Sequence, residues 1–400
     1  MTKVLAIVLK KNVLCPFRII YNGGEKVLLD VFSTTSVTEF NQEKLVTSEY
    51  VACCILELMK NNHINVCDLR SYVERNSVSA EEGPNYDIKD FIRNLVFLIR
   101  FGSERGVEIA IQLMTILLYD SHFREIILTF DVYSVLISAL CDTSKDSNRS
   151  NAILAISVLI CDDESIRLHL IEKGLLSVLM YSLSASDAKI KRHAALCIQI
   201  LASQMSLVPE LVRCGTVSRL IEQLNFSMNL SRTSYPRITG INDDEKIIEY
   251  SLLSLFYLFS VSESAKIEGL SLDVGNCLIN LIRNMHDINV RISENAVRAL
   301  GSLAIKSKLC DYSEELIVGG AIHVLCRSLA SKVCTLRLHS LLALEILMRN
   351  KRDVTHKMDM FLYVGEKYIS LVEFINRILT DSQFVVEKEA AISLLRMIQQ

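Results

Sequence analysis

The chain has 400 residues, 50% hydrophobic and 22% charged, with a formal net charge of −3. This composition supports a large folded core and excludes an intrinsically disordered chain, and the small net charge gives no global sign of binding to nucleic acid or an anionic membrane. Only 4 prolines and 14 glycines interrupt the chain, which favours a protein built mainly of helices.

The first apolar run of the chain, Val4–Leu9, is followed by Lys10 and Lys11. It is too short for a secretory signal and is interpreted as a buried helix or strand. The apolar run Ser251–Ser262 is also too short to cross a bilayer, so a transmembrane segment is not expected. Twelve scattered cysteines without a CxxC pair indicate reduced, buried thiols, and the predicted location is the cytoplasm, with the nucleus as an addition.

Three segments share one pattern: Glu172–Leu183, Arg213–Leu224 and Val318–Leu329. Each has a glycine, a leucine five residues later and a second leucine nine residues later. Leucines four apart lie on one helical face, and the glycine before them suits a sharp turn between two helices. The same frame extends along the chain, with predicted turn positions at Gly24, Asp90, Asp131, Gly174, Gly215, Asn276, Gly320 and Glu366.

A second apolar pattern, HAALCIQILA at His193–Ala202, follows these turns and recurs in altered form. Its copies begin at Asn151, Tyr250, Asn295, His339 and Glu389. Each copy has a small residue in second place and an aliphatic residue or Met four and seven positions later. A further small residue usually lies three positions after the first, which predicts close stacking of the same helix from neighbouring repeats.

These two patterns predict an all-α fold, a right-handed α-solenoid of about eight helical repeats of about 42 residues each. One such unit cannot bury its apolar face alone, whereas stacked neighbours bury a continuous core. The predicted organisation is an N-terminal cap with a weak first repeat in residues 1–89, followed by repeats in residues 90–400. An insertion loop is expected at residues 225–246.

The unit resembles the armadillo repeat, with HEAT repeats as the structural alternative. Glu164–Ala202 covers one whole repeat of that pattern. The resemblance implies a protein that binds extended peptides or partner domains along a concave surface lined by the third helix of each repeat. Importin-α-like members hold basic peptides with a Trp and an Asn on that helix. This chain has no Trp, so that mechanism is not expected.

The matching third-helix positions form the predicted partner-binding groove. They are Leu154, Val158, Leu196, Ile200, Leu253, Tyr257, Arg298, Ser302, Leu342 and Ile346, with Ile392 and Arg396 in the last repeat. If these apolar side chains are exposed, the natural ligand is a helix with anchors spaced by three, four or seven residues. Two alternatives remain open: burial against neighbouring repeats, and self-association of the chain into a homo-oligomer.

Basic residues lie just before several third helices. Lys189, Lys191, Arg192, Arg291 and Arg337 form a predicted basic rim for acidic residues beside an apolar partner motif. The alternative is that they are solvated residues between helices.

No catalytic motif stands out in the sequence. Phosphate-binding loops, HExxH, GxSxG and kinase signatures are absent, and the cysteines and histidine of Cys53–Cys67 match no common zinc spacing. Neither a metal nor a cofactor is expected, and aromatics do not alternate with basic residues as single-stranded nucleic acid would require. The predicted function is a non-enzymatic scaffold or adaptor with a protein partner. The alternative is a regulatory domain that recognises a globular enzyme or small GTPase.

Overall fold

The computed structural model describes residues 27–29, 31–32, 42–60, 65–67, 69–70, 88–142, 145–161, 163–231, 243–286, 288–307, 309, 311–350, 361–364 and 367–399. Its contacts group the chain into two compact units, residues 1–178 and residues 179–400. The predicted cap at residues 1–89 lies largely outside the described residues and stays a prediction.

The first unit is a stack of helices. They are α1 (Gln42–Lys60), α2 (Ile88–Phe101), α3 (Glu104–Leu118), α4 (Ser121–Leu128), α5 (Val132–Asp142), α6 (Asp146–Leu159), α7 (Glu164–Glu172) and the first residues of α8 (Leu175–Leu183). Helix α3 packs between α1 and α6, and α2 packs against α3 and α5.

The second unit continues the same helical pattern. After the end of α8 it contains α9 (Ala188–Ala202), a 3₁₀ turn (Met205–Leu207), α10 (Val208–Arg213), α11 (Thr216–Ser231), α12 (Asp243–Val261), α13 (Glu263–Ser271), α14 (Val274–Met285), α15 (Val290–Ala304), α16 (Ser313–Val318), α17 (Ala321–Leu329), α18 (Cys334–Asn350), β1 (Phe361–Val364), β2 (Lys367–Ser370), α19 (Leu371–Asp381) and α20 (Val385–Gln399). Helices α9, α12, α15, α18 and α20 stack in that order, each against the next. They contain the HAALCIQILA segment and its copies in this unit, and so they are the third helices of their repeats.

The strands β1 and β2 form an antiparallel hairpin in which Phe361 pairs with Ser370 and Val364 with Lys367. No sequence pattern above predicts this hairpin. It lies between α18 and α19, next to the start of the last predicted repeat.

Polar caps and glycines set where the helices begin and end. The side chain of Asp187 accepts from the backbone N–H of Ile190 at the start of α9, and that of Asn289 does the same for Ile292 at the start of α15. Such caps satisfy backbone donors that have no partner inside the helix. They fix the position of the third helices along the chain.

Three of the predicted turn glycines adopt the left-handed backbone conformation. The φ angles of Gly174, Gly215 and Gly320 are 89°, 73° and 93°, which confirms the predicted turns. Two other assignments are wrong, because Asp90 lies inside α2 and Asn276 lies inside α14. The left-handed residue before α14 is Asp273 (φ 55°), and an aspartate can adopt this conformation because its short polar side chain tolerates it.

Asp131 directly precedes α5, as predicted, whereas Gly24 and Glu366 lie outside the described residues. The eight leucines predicted to follow the turns are all buried: Leu29, Leu95, Leu136, Leu179, Leu220, Leu281, Leu325 and Leu371. The predicted burial of these leucines is therefore confirmed even in the repeats for which the predicted turn position is wrong.

Gly174→Ala is expected to destabilise the first unit by about 1–2 kcal/mol. A Cβ at this glycine would meet no atom within 4 Å, so the cost comes from the left-handed backbone alone. Gly174→Asn is the matched control, because Asn tolerates this conformation and should lose less. Urea unfolding of the two variants measures the difference, and equal losses would contradict the assignment to backbone strain.

Small residues allow the third helices to stack closely. Ala155, Cys197, Ser254, Ala299 and Ala343 are buried, as the pattern predicts. A Cβ added at Gly301 of α15 would lie 3.4 Å from the Cβ of Ala343 in α18. Ala194, Ile198 and Leu201 of the HAALCIQILA segment are fully buried, so this segment forms repeat core.

The structure corrects the predicted insertion loop at residues 225–246. Helix α11 extends to Ser231, and α12 begins at Asp243, so both ends of the predicted loop are helical. Residues 232–242 lie outside the described part of the chain. The sequence of residues 225–246 did not reveal these helix ends, because it contains Asn, Ser and Asp, which favour turns.

A third-helix equivalent in the first unit was missed by the sequence pattern. Helix α3 stacks between α1 and α6 in the same way that α12 stacks between α9 and α15. Its half-buried face carries the polar residues Glu108 and Gln112, so it lacks the apolar signature of the other copies.

Over the described residues, no single helix is both long and apolar enough to cross a membrane. Ala188–Ala202 and Met205–Arg213 reach that length and composition only together, and they are bent by 105° where they meet.

The described cysteines include a buried group and an exposed group. Cys53, Cys54, Cys197, Cys277 and Cys326 are buried, whereas Cys67, Cys141, Cys161 and Cys214 are exposed. The prediction of buried thiols therefore holds for the first group and is wrong for the second. Burial raises the pKa of both Cys277 and Cys326 to about 12, which keeps these thiols protonated and unreactive.

Candidate third-helix binding face

The third-helix face of the second unit is the side of α9, α12, α15 and α18 that carries the predicted groove residues. Leu196 and Ile200 lie on α9, Leu253 and Tyr257 on α12, and Leu342 and Ile346 on α18. Leu342 is 40% exposed and the other five are half-buried. Each apolar side chain therefore rests on the core and still presents part of its surface to solvent.

Not every predicted groove residue is available on a surface. Ser302 is only 3% exposed, and its hydroxyl donates to the backbone oxygen of Arg298 (3.0 Å). The Ser260 hydroxyl of the preceding third helix donates to Ser302 (3.1 Å), so Ser302 joins two helices rather than facing a ligand. In the first unit, Leu154 is half-buried and Val158 is 7% exposed.

An aromatic pair on α12 adds to the apolar surface. The ring centroids of Phe256 and Tyr257 are 5.1 Å apart. The guanidinium carbon of Arg298, on the next third helix, lies 4.4 Å from the centre of the Phe256 ring. Phe256 was not predicted as a site residue, because its role depends on the register between α12 and α15, which the sequence does not encode locally.

Arg298 forms no ion pair with any carboxylate among the residues that the structure describes. Glu294 lies one helical turn before it but accepts from the Thr335 hydroxyl (2.8 Å) and lies 3.5 Å from His339 Nδ1. The pKa of His339 is lowered, first by burial and then by the positive charge of Arg298, while Glu294 opposes both. The face therefore carries a positive charge with no internal counterion among the described residues.

Two residues of the predicted basic rim form ion pairs inside the chain. Arg192 of α9 pairs with Asp243 of α12. Arg337 of α18 pairs with the fully buried Glu387 of α20, with N–O distances of 2.6 and 3.0 Å. These two arginines join neighbouring third helices. The other predicted rim residues are Lys189, Lys191 and Arg291.

Those three residues have different exposure. Lys189 and Arg291 are exposed, and Lys191 is half-buried. Their role in partner binding stays a prediction.

Polar links near the starts of third helices recur from repeat to repeat. In the second unit they are Arg192–Asp243, Asn289–Glu245, Thr335–Glu294 and Arg337–Glu387. In the first unit Ser103 donates to Glu49, and Lys145 pairs with Glu104 (2.8 Å). Each link ties one third helix, or its cap, to the next, and so restrains how the helices slide along each other.

The first unit contains a cavity of about 550 Å³ between α2, α3, α5 and the start of α6. Arg100, Phe101, Ser134 and Ala139 are among the residues that line it. It does not include Leu154 or Val158, so it is separate from the predicted groove positions of that unit. Within the described ranges, no group of three or more His, Cys, Asp or Glu side chains is placed to hold a metal ion.

No protein-family model and no curated protein sequence matches the chain. Solved structures do match. An engineered protein aligns with 100% of this chain and 94% of its own, with a TM-score of 0.67 and 15% identity. A designed armadillo repeat protein aligns with 64% of this chain and 99% of its own, with a TM-score of 0.54 and 18% identity. The fold is armadillo-like.

A second designed armadillo repeat protein was solved in complex with the peptide (KR)4. It aligns with 64% of this chain and 99% of its own, with a TM-score of 0.53 and 17% identity. At such low identity, these similarities establish the fold alone. The described helices of each unit thus form an armadillo-like stack of repeats, which confirms the predicted helical-repeat fold class. The β1–β2 hairpin is an addition that the all-α prediction did not include.

Proposed function

We propose that the chain is a non-enzymatic scaffold that binds an apolar segment of a partner protein on the third-helix face of its second unit. The observation that carries this proposal is the set of partly exposed apolar side chains on α9, α12 and α18. Apolar side chains that remain partly exposed at equivalent positions of successive repeats form a surface that gains stability when a partner excludes water from it.

The spacing of the third helices fits a helical ligand. Packed helices lie about 8–10 Å apart, and a helix rises about 1.5 Å per residue. Neighbouring third helices therefore match positions about five to seven residues apart on a partner helix that crosses them. The upper end of this range is the spacing at which an amphipathic helix repeats its apolar anchors.

The comparison with designed proteins supports peptide binding as a property of the scaffold. One designed armadillo repeat protein holds a peptide, so a stack of such repeats can serve as a peptide-binding surface. Location in the cytoplasm or nucleus, and self-association, stay predictions.

The double substitution Leu196→Glu and Ile200→Glu tests the proposal. Both side chains are half-buried, so the new carboxylates can reach water and the variant is expected to fold. A displayed library of random peptides is selected on the full-length chain, and the enriched peptides are titrated against both proteins. The variant should bind them at least about tenfold more weakly, because residues at the centre of an interface carry most of its energy.

Ile267→Glu with Leu272→Glu is the matched control. Ile267 and Leu272 are 47% and 41% exposed, and they lie on α13 and directly after it, not on a third helix. This variant should bind the selected peptides as the original chain does. Hydrogen exchange should show protection of α9 and α12. Equal binding by all three proteins, or protection confined to other helices, would contradict the proposal.

A further inference from the structure

Arg298 is a cation placed among the apolar side chains of the third-helix face. We propose that the partner segment carries a carboxylate, from Asp or Glu, between its apolar anchors, and that this carboxylate pairs with Arg298. The same face then rejects basic segments such as (KR)4. This inference rests on the proposed function and specifies its partner.

The Arg298 side chain is held by an aromatic ring of the neighbouring third helix. Its guanidinium carbon lies 4.4 Å from the centre of the Phe256 ring, which is an attractive cation–π arrangement. Stacking on a ring restricts the guanidinium to one orientation and leaves N–H donors at its edge for a planar anion. The side chain is thus oriented before any ligand arrives, which lowers the entropy cost of pairing.

Arg298 has no internal counterion among the described residues. Glu294 is the carboxylate one turn away on the same helix, but it is engaged by Thr335 and lies beside His339. The rim arginine on α9 differs, since Arg192 pairs with Asp243. A half-buried cation without an anion is costly, so an anion from a partner is favoured at this point.

Glu249 of α12 and Glu345 of α18 are two third-helix carboxylates with which a basic ligand could pair. Glu249 accepts from Lys246 (2.6 Å), and Glu345 accepts from Arg349 and from the Ser393 hydroxyl (2.9 Å). A basic segment would have to break these contacts to pair with them. It would also bring positive charge towards Arg298, which is unfavourable where water is partly excluded. Both effects favour acidic over basic segments.

His339 does not compete for this role. Burial and the nearby charge of Arg298 lower its pKa, so the imidazole is neutral at neutral pH. Arg298 is therefore the cation that a ligand carboxylate meets at the centre of the face, with Tyr257 on one neighbouring helix and Leu342 on the other.

Three synthetic helical peptides test the proposal. They share leucine anchors seven residues apart and differ only in one central residue, which is Glu, Gln or Lys. Fluorescence anisotropy with the full-length chain should rank them Glu, then Gln, then Lys, with about tenfold between Glu and Gln, as expected for a charge-assisted contact. Arg298→Gln should remove the preference and keep apolar binding, and Arg298→Glu should favour the Lys peptide.

Arg283→Glu is the matched control, because Arg283 is an exposed arginine of α14 outside the third-helix face. It makes the same charge change and should leave the order of the peptides unchanged. Binding of all three peptides with equal affinity, still lost in the Leu196/Ile200 variant, would overturn this inference and leave the proposed function intact. Binding of none of them would overturn both.

Discussion

Glu387→Ala is expected to destabilise the end of the second unit by about 3–5 kcal/mol, because it removes one partner of a buried ion pair. The Glu387 side chain is completely buried at the start of α20. It accepts from Arg337 through two guanidinium nitrogens, from the Ser382 hydroxyl (2.6 Å) and from the Cys334 thiol (3.3 Å). Without the carboxylate, these donors lose their shared acceptor.

The same substitution leaves a charged group behind. The Arg337 side chain is only 18% exposed, so its guanidinium cannot regain full hydration when Glu387 is removed. One more contact remains for it, a hydrogen bond to the backbone oxygen of Ser331 (3.0 Å). An unpaired, largely buried cation is the reason why breaking such a pair costs more than forming it gains.

The stability that Glu387 contributes should depend on pH. Burial by itself raises the pKa of Glu387, but hydrogen bonds from Arg337, Ser382 and Cys334 outweigh burial and leave the pKa below its ordinary value. A carboxylate with a lowered pKa in the folded state stabilises the fold above its unfolded pKa. That contribution is lost as the pH falls from the unfolded pKa through the folded one.

Urea unfolding of Glu387→Gln and the original chain, at neutral and acidic pH, measures this dependence. The difference in stability should shrink as the pH falls below the ordinary pKa of a glutamate. Because repeat proteins unfold in parts, hydrogen exchange of α18 and α20 should accompany the unfolding curves. Glu389→Gln, at an exposed position of the same helix, should change stability by less than about 0.5 kcal/mol. A pH-independent difference would contradict the assigned role of the ion pair.

The sequence alone predicted what depends on a single helix. The leucines that follow each turn are buried because residues four apart share a helical face, and this holds even where Asp90 and Asn276 were wrongly placed at turns. The small residues at Cys197 and Ala343 likewise revealed the stacking of third helices. The repeat pattern is therefore sufficient to infer the fold.

What depends on the register between two helices could not be predicted. Arg337 looked like a residue of a basic rim, because its acceptor Glu387 lies 50 positions later. Phe256 was not among the predicted groove residues, because its contact with Arg298 requires the offset between α12 and α15. Sequence periodicity predicts which face of each helix is buried, but it does not predict the axial offset between neighbouring helices.

The exposure of the predicted groove residues also could not be predicted from the sequence. The sequence left open whether Leu196 and Ile200 were exposed or buried, and the structure shows that both are half-buried. Their exposure depends on how far neighbouring side chains overlap them, which again is a matter of register.

Phe259→Ala is expected to cost about 3–5 kcal/mol, the usual range for deleting a fully buried aromatic ring. Phe259 lies near the end of α12, is 0% exposed and packs against α13, where a Cβ on Gly269 would lie 2.9 Å from two atoms of its ring. The glycine thus leaves room for the ring. Gly269→Ala alone should be destabilising by about 1–3 kcal/mol through this clash, despite the gain of up to about 1 kcal/mol that alanine usually brings inside a helix.

The two substitutions should not add. In the double variant the methyl group introduced by Gly269→Ala enters space that the ring has vacated, so the clash with the ring is relieved and part of the cavity is filled. The tight approach to Val274 Cγ1 (3.1 Å) remains. Its loss of stability should fall below the sum of the single losses by more than about 0.5 kcal/mol, the limit expected for independent sites. Phe256→Ala is the control on the same helix, and it should cost less because Phe256 is only half-buried. Urea unfolding of the four variants measures these values, and additive losses would show that Gly269 is not required by the ring.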